Sequence, residues 1–175
     1  MTVSVALRRS DILFMRYWLV CLLFVAGPVS GQQLFGDACR GTWKGTMLIY
    51  RKGVVKDSVE IRLEVAPIPG GWTWKTHYLS PKHPMVKDYL LRYKEENHYV
   101  IDEQDGTVLD AYLTDNKLFS IFETEGIVLT SGYELRGKDT LVFEVTSGKK
   151  GTTLNVINYS VEHVQRVRLK RAHTY

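Results

Sequence analysis

Apolar and polar residues alternate along most of this chain with a period of two, and the alternation predicts strands. Val59-Glu-Ile-Arg-Leu-Glu-Val65 is the clearest case. Val59, Ile61, Leu63 and Val65 fall on one face, and Glu60, Arg62 and Glu64 on the other. Trp72-Thr-Trp-Lys-Thr-His-Tyr78 repeats the pattern, with Trp72, Trp74 and Tyr78 opposite Lys75 and His77. Leu141-Val-Phe-Glu-Val145 places Leu141, Phe143 and Val145 together. Further short runs lie at residues 89–93, 99–102, 108–113, 118–122 and 127–135, with two closing runs at 154–159 and 164–169. In the middle of the chain, Leu109, Ala111, Leu113, Phe119 and Ile121 are expected to point inward, leaving Tyr112 and Phe122 outside.

No long stretch shows the period of a helix. The runs are separated by turn formers: Arg51-Lys-Gly53, Pro69-Gly-Gly71, Gln104-Asp-Gly106, Thr114-Asp-Asn116, Glu125-Gly126, Gly137-Lys-Asp139 and Ser147-Gly148. About ten strands joined by tight hairpins predict an all-β, up-and-down antiparallel barrel, whose closure removes exposed edges.

Composition changes this picture at one end. Residues 15–31, MRYWLVCLLFVAGPVSG, combine one arginine, an apolar core and a Gly-Pro break before small residues. This is the layout of a secretory signal peptide, too short to span a bilayer comfortably. The expected division is therefore a signal peptide over 1–31, with Met15 an alternative start, and a single barrel domain over 32–175. The product would be exported, periplasmic or secreted, with no stable membrane insertion after cleavage. Asp11 argues against a twin-arginine signal at Arg8-Arg9, and the residues around Cys21 against a lipid anchor. The leader holds three of the 23 basic and one of the 19 acidic residues, so the remainder is net +2. That excess is too small to argue for nucleic acid. Cys39 alone of the two cysteines survives cleavage, and burial beside the first strand is its expected place.

Leu34-Phe-Gly-Asp-Ala-Cys-Arg-Gly-Thr-Trp-Lys-Gly45 resembles the start of a calycin barrel, the superfamily of lipocalins, fatty-acid-binding proteins and avidins. There a short turn leads into Gly-x-Trp on the first strand. The resemblance implies that Trp43 closes the barrel floor and that a basic residue of the last strand, Arg166 or Arg168, covers it. Two departures stand out. Only Arg51–Lys56 separates the first two strands, which leaves no room for a helical lid, and no helix-forming segment follows the barrel.

Several motifs look chemical and fail on context. Gly132-Tyr-Glu-Leu-Arg-Gly-Lys-Asp139 has phosphate-loop spacing, but Asp139 replaces the hydroxyl that would hold magnesium and a strand follows instead of a helix. Ser147-x-x-Lys150 sits between glycines rather than on a helix. His77 and His83 lack a third ligand at metal-binding spacing. Asn158-Tyr-Ser160 is a glycosylation triplet inside an expected strand. No cofactor, metal or catalytic set is indicated.

The aromatics carry the functional expectation. Trp72, Trp74, Tyr78 and Tyr89 share the parity of core-facing neighbours, as do Tyr93, Tyr99 and Tyr159. They are the candidate ligand-binding residues, lining a cavity for a small, largely apolar molecule. Two rival readings remain: a filled barrel acting as an interaction or envelope-associated module, and a barrel enzyme of isomerase or cyclase type. The enzyme would need an inward acid or base, whereas parity puts His77, His98 and Asp102 outward and leaves Asp110 and Glu123 unplaced.

Overall fold

The structure, a computed structural model, describes residues 33–153 and 155–172. The leader-like stretch 15–31 lies outside the described residues. One short helix, α1 (Phe35–Ala38), precedes ten strands: β1 (Gly41–Arg51), β2 (Val54–Ile68), β3 (Gly71–Tyr78), β4 (Met85–Glu95) and β5 (His98–Asp102). The second half comprises β6 (Val108–Thr114), β7 (Lys117–Thr124), β8 (Ile127–Arg136), β9 (Thr140–Thr153) and β10 (Val156–Arg171). Each strand pairs antiparallel with the next, and β1 pairs with β10 to close the barrel. The predicted all-β, up-and-down barrel is therefore what the chain forms.

The hairpins explain the register. Lys52 and Gly53 (φ 50° and 75°) and Glu125 and Gly126 (51° and 73°) are two-residue turns with both residues left-handed. That geometry matches the twist of paired strands. Alternation then sends Val59, Ile61, Leu63 and Val65 inward, as expected. All four belong to the core or pack against it, beside Met47, Leu141, Val167 and Leu169.

Three expectations fail, each for a long-range reason. First, β7 is reversed: Leu118, Ser120 and Phe122 face inward, while Phe119 and Ile121 stand out at 39% and 70% exposure. The two-residue turn Asp115-Asn116 pairs Leu113 with Leu118, and directly opposed residues share a face. Leu113 facing inward thus fixes Leu118 inward.

Second, Tyr159 faces out. A bulge in β10 leaves Glu162 unmatched between Val161↔Gly148 and His163↔Ser147. One extra residue flips every side chain before it. Third, Ser147–Gly151 is strand rather than turn. A Cβ at Gly148 would come within 2.8 Å of the Ser160 carbonyl oxygen. Gly148 therefore serves a close backbone approach beside the bulge, and β9 runs on to Thr153.

Candidate functional site

The barrel has two unlike ends. At the end where β1 begins, α1 plugs the interior. Gly36 lies against Trp72 so closely that a Cβ would sit 2.2 Å from the indole. Trp72 Nε1 donates to Asp37 Oδ1 at 3.0 Å. The Phe35 N–H donates to the Tyr99 hydroxyl at 3.2 Å. Trp43, fully buried, donates from Nε1 to the Cys39 carbonyl at 2.8 Å. Burial pushes the Cys39 thiol up to about 12, with Arg171 opposing.

The cation over Trp43 is Arg171, whose guanidinium carbon lies 4.1 Å from the ring centroid. Its Nη2 donates to Ala38 O and its Nε to Lys138 O, each at 2.9 Å, and its Nη1 donates to Arg40 O. Arg166 and Arg168, the residues expected here, are instead exposed on the outer wall, where Arg166 pairs with Glu144 at 3.0 Å. Parity accounts for this. Val167 and Leu169 take the inward positions, and only at the barrel's end does the odd-numbered Arg171 reach across the floor.

Above that floor lies a cavity of about 180 Å³. Its inner wall includes Trp74, Thr76, Leu91, Leu118, Tyr133 and Phe143, and its mouth Tyr78, Lys87, Tyr89, Glu103, Phe122 and Leu129. The lining runs from β3 to β9, because Met47, Ile61, Leu63 and Val167 fill the opposite side. A chain of rings forms the base. Phe35 stacks on Trp74 at 6.2 Å, Trp74 meets Tyr133 edge-on at 5.0 Å, and Tyr133 stacks on Phe143 at 4.2 Å.

Polar groups are few and grouped. Thr76, Ser131 and Tyr133 bring hydroxyls to the interior. Tyr133 is enclosed except toward the cavity, and burial drives its pKa far up. The Trp74 N–H and the Thr76 hydroxyl partly offset that rise. Trp74 Nε1 nevertheless has no acceptor in hydrogen-bond geometry. An unmatched buried donor of this kind costs about 1–3 kcal/mol. At the mouth, desolvation and then the Glu103 carboxylate raise the Tyr89 pKa, and Lys87 Nζ stands 5.8 Å from the Tyr89 ring centroid.

The structure thus divides the predicted ligand-binding set. Trp74, Tyr78 and Tyr89 line the cavity. Trp72 and Tyr99 belong to the plugged end. Tyr93 also lies there, 36% exposed and edge-on to Tyr99 at 5.4 Å. Tyr159 reaches Glu123 at 3.4 Å on the outer face. Sequence reasoning left Tyr133, Ser131 and Thr76 unassigned to the site. Their signal was the same alternation, through Trp74, Thr76 and Tyr78 in β3 and through Leu129, Ser131, Tyr133 and Leu135 in β8.

His98 and Asp110 pair at 2.7 Å beside Tyr112, outside the barrel. Glu123 is also exposed. The ionisable side chains on the cavity, tyrosines apart, are therefore Lys87 and Glu103 at its mouth.

A closed antiparallel barrel with a tryptophan floor under an arginine defines a calycin-like architecture, and comparison with solved structures agrees. The S-type phycobiliprotein lyase of Guillardia theta superposes with a TM-score of 0.58 at 8% identity, covering 81% of this chain and 92% of that one. A DUF3598-family protein of unknown function from Nostoc punctiforme gives 0.56 at 11% identity, over 78% of this chain and 48% of its own. The Rv2717c protein of M. tuberculosis gives 0.52 at 11% identity, over 78% and 94%. Identities this low carry the fold and not the activity. No family model matches the chain, and no curated protein matches it in sequence.

Proposed function

We propose that this protein is an exported carrier that binds a small, largely apolar aromatic molecule in the barrel. The observation that carries the reading is the cavity itself. Its walls are mostly apolar, its base is ringed by aromatics, and the Thr76, Ser131 and Tyr133 hydroxyls reach it from β3 and β8. An apolar cavity of about 150 Å³ accommodates benzene, so one of about 180 Å³ suits a compact aromatic of one or two rings. Burial of the ring faces supplies affinity, at roughly 25 cal/mol per Å² of apolar surface.

The unmatched Trp74 N–H and the Thr76, Ser131 and Tyr133 hydroxyls favour a ligand with a carbonyl or ether oxygen at its inner end. Export rests on the leader-like stretch 15–31 alone. Likeness to the phycobiliprotein lyase supports the architecture and leaves the ligand to the cavity.

Two measurements test this. Native mass spectrometry of the protein taken gently from its secreting host should show a small-molecule mass that denaturation removes. Calorimetry with 2-naphthol as a probe should show saturable binding to the emptied protein, abolished by Ser131→Phe. A bare native mass together with no naphthol binding would overturn the carrier reading.

A further inference from the structure

Large apolar side chains exposed to solvent are concentrated at the open end of the barrel. Val54, Val55, Leu79, Met85, Val86 and Ile157 are each between 45% and 56% exposed. All lie in, or on the first strand residues beside, three connections that neighbour one another around the rim: the β1–β2 hairpin, the β3–β4 loop and the β9–β10 hairpin. The last projects furthest. Pairing of β8 with β9 ends at Ile127↔Lys149, and that of β1 with β10 at Arg51↔His163. From Lys150↔Tyr159 onward, β9 and β10 pair only with each other.

Charge separates around the same rim. The three apolar connections carry Arg51, Lys52, Lys56, Lys82, Lys149 and Lys150, all exposed, against Asp57 and Glu162. The remaining two, β5–β6 and β7–β8, carry Glu103, Asp105, Glu123 and Glu125, with Val108 60% exposed among these acids. The mouth thus has a basic, apolar arc facing an acidic one. A solvated rim has no need of this segregation. Apolar tips interleaved with lysines suit a surface with an apolar interior and anionic headgroups.

We infer that the basic arc of the rim docks the barrel on the surface of an anionic phospholipid bilayer. Val54, Val55 and Ile157 enter the headgroup boundary while the lysines meet lipid phosphates. The acidic arc is repelled and tilts away, so the mouth opens beside the membrane rather than being sealed against it. Docking of this kind is peripheral, and it stands whether or not the cavity carries a ligand.

The test uses residues 33–175, since the barrel closes on itself and its core is drawn from Phe35 to Leu169. Co-flotation is measured with vesicles of equal parts phosphatidylcholine and phosphatidylglycerol, with pure phosphatidylcholine vesicles as reference. The protein should float with the anionic vesicles at low salt, and at least about tenfold less with the neutral ones. Lys52→Gln with Lys150→Gln should lower partitioning about thirtyfold. Val54→Ser with Ile157→Ser should lower it further at high salt, where apolar contact dominates.

Lys94→Gln with Lys138→Gln removes the same charge at the plugged end and should leave partitioning unchanged. Circular dichroism confirms that each variant is folded. Absence of flotation with anionic vesicles at low salt would overturn the proposal. So would an equal loss in the plugged-end variant, which would reduce the effect to net charge. A dimer in solution that Val54→Ser with Ile157→Ser dissociates would also overturn it, assigning the arc to a second copy of the chain.

Discussion

The plugged and open ends of this barrel are built from the same ten strands with the same alternation, yet one is packed solid and the other is not. At the plugged end, indoles, a thiol and α1 occupy the interior, and each buried donor described there has an acceptor: Trp43 has Cys39 O, Trp72 has Asp37, and the Phe35 amide has the Tyr99 hydroxyl. Toward the open end, inward positions fall to Thr76, Ser131 and Leu129, and space remains. Trp74 marks the boundary. One side of its ring contacts Phe35 of the plug, the other borders the cavity, and its N–H has no partner. Alternation fixes which residues enter a barrel, while their size and pairing decide whether it is a core or a container.

The contrast breaks most sharply at Trp43. Trp43→Ala should cost about 3–5 kcal/mol, read by denaturant unfolding, because a fully buried indole leaves a cavity the rigid floor is unable to collapse. Arg171→Ala should cost about 2–3 kcal/mol through loss of the stacking cation and three carbonyl contacts. Arg166→Ala should stay within about 0.5 kcal/mol, since its pair with Glu144 is exposed. Equal effects of the two arginine variants would refute the assignment of the floor cation.

Alkaline pH probes the same end. The folded Cys39 thiol keeps its proton to about 12, whereas an unfolded thiol loses it near 9.0. Above pH 9 the unfolded chain therefore binds fewer protons, and stability falls as pH rises, levelling beyond about 12. The thiol's share is at most about a tenfold drop in the folding equilibrium per pH unit. Cys39→Ala should flatten that slope, leaving the part due to the buried tyrosines, whose pKa values are also raised.

At the open end the expected effects on stability are smaller and those on binding larger. Ser131→Phe fills the cavity and should change stability by about 1 kcal/mol or less while abolishing naphthol binding. Smallest of all, Tyr159→Ala should change stability by less than about 0.5 kcal/mol and leave naphthol binding intact, because that ring lies on the outer face.

Local pattern was enough to specify the barrel. Alternation in β2, β3 and β9, together with glycine and asparagine turns, is local information, and it fixed strand type, hairpin order and the inward faces of Ile61, Leu63, Trp74 and Phe143. The resemblance of the opening residues to a calycin barrel marked Trp43 as the floor, and the lone Cys39 was expected to be buried beside the first strand. The remaining outcomes arose where one strand answers to another. The opposition of Leu113 and Leu118 turned β7 over, and the unmatched Glu162 sent Tyr159 outside. The far end of β10 brought Arg171, rather than Arg166 or Arg168, across Trp43. The cavity belongs to the same class. Thr76, Ser131 and Tyr133 are scattered over β3 and β8, and only barrel closure shows that their inward positions leave space between them. Parity is a property of neighbours along the chain. Register, bulges and empty volume are properties of residues that meet across it.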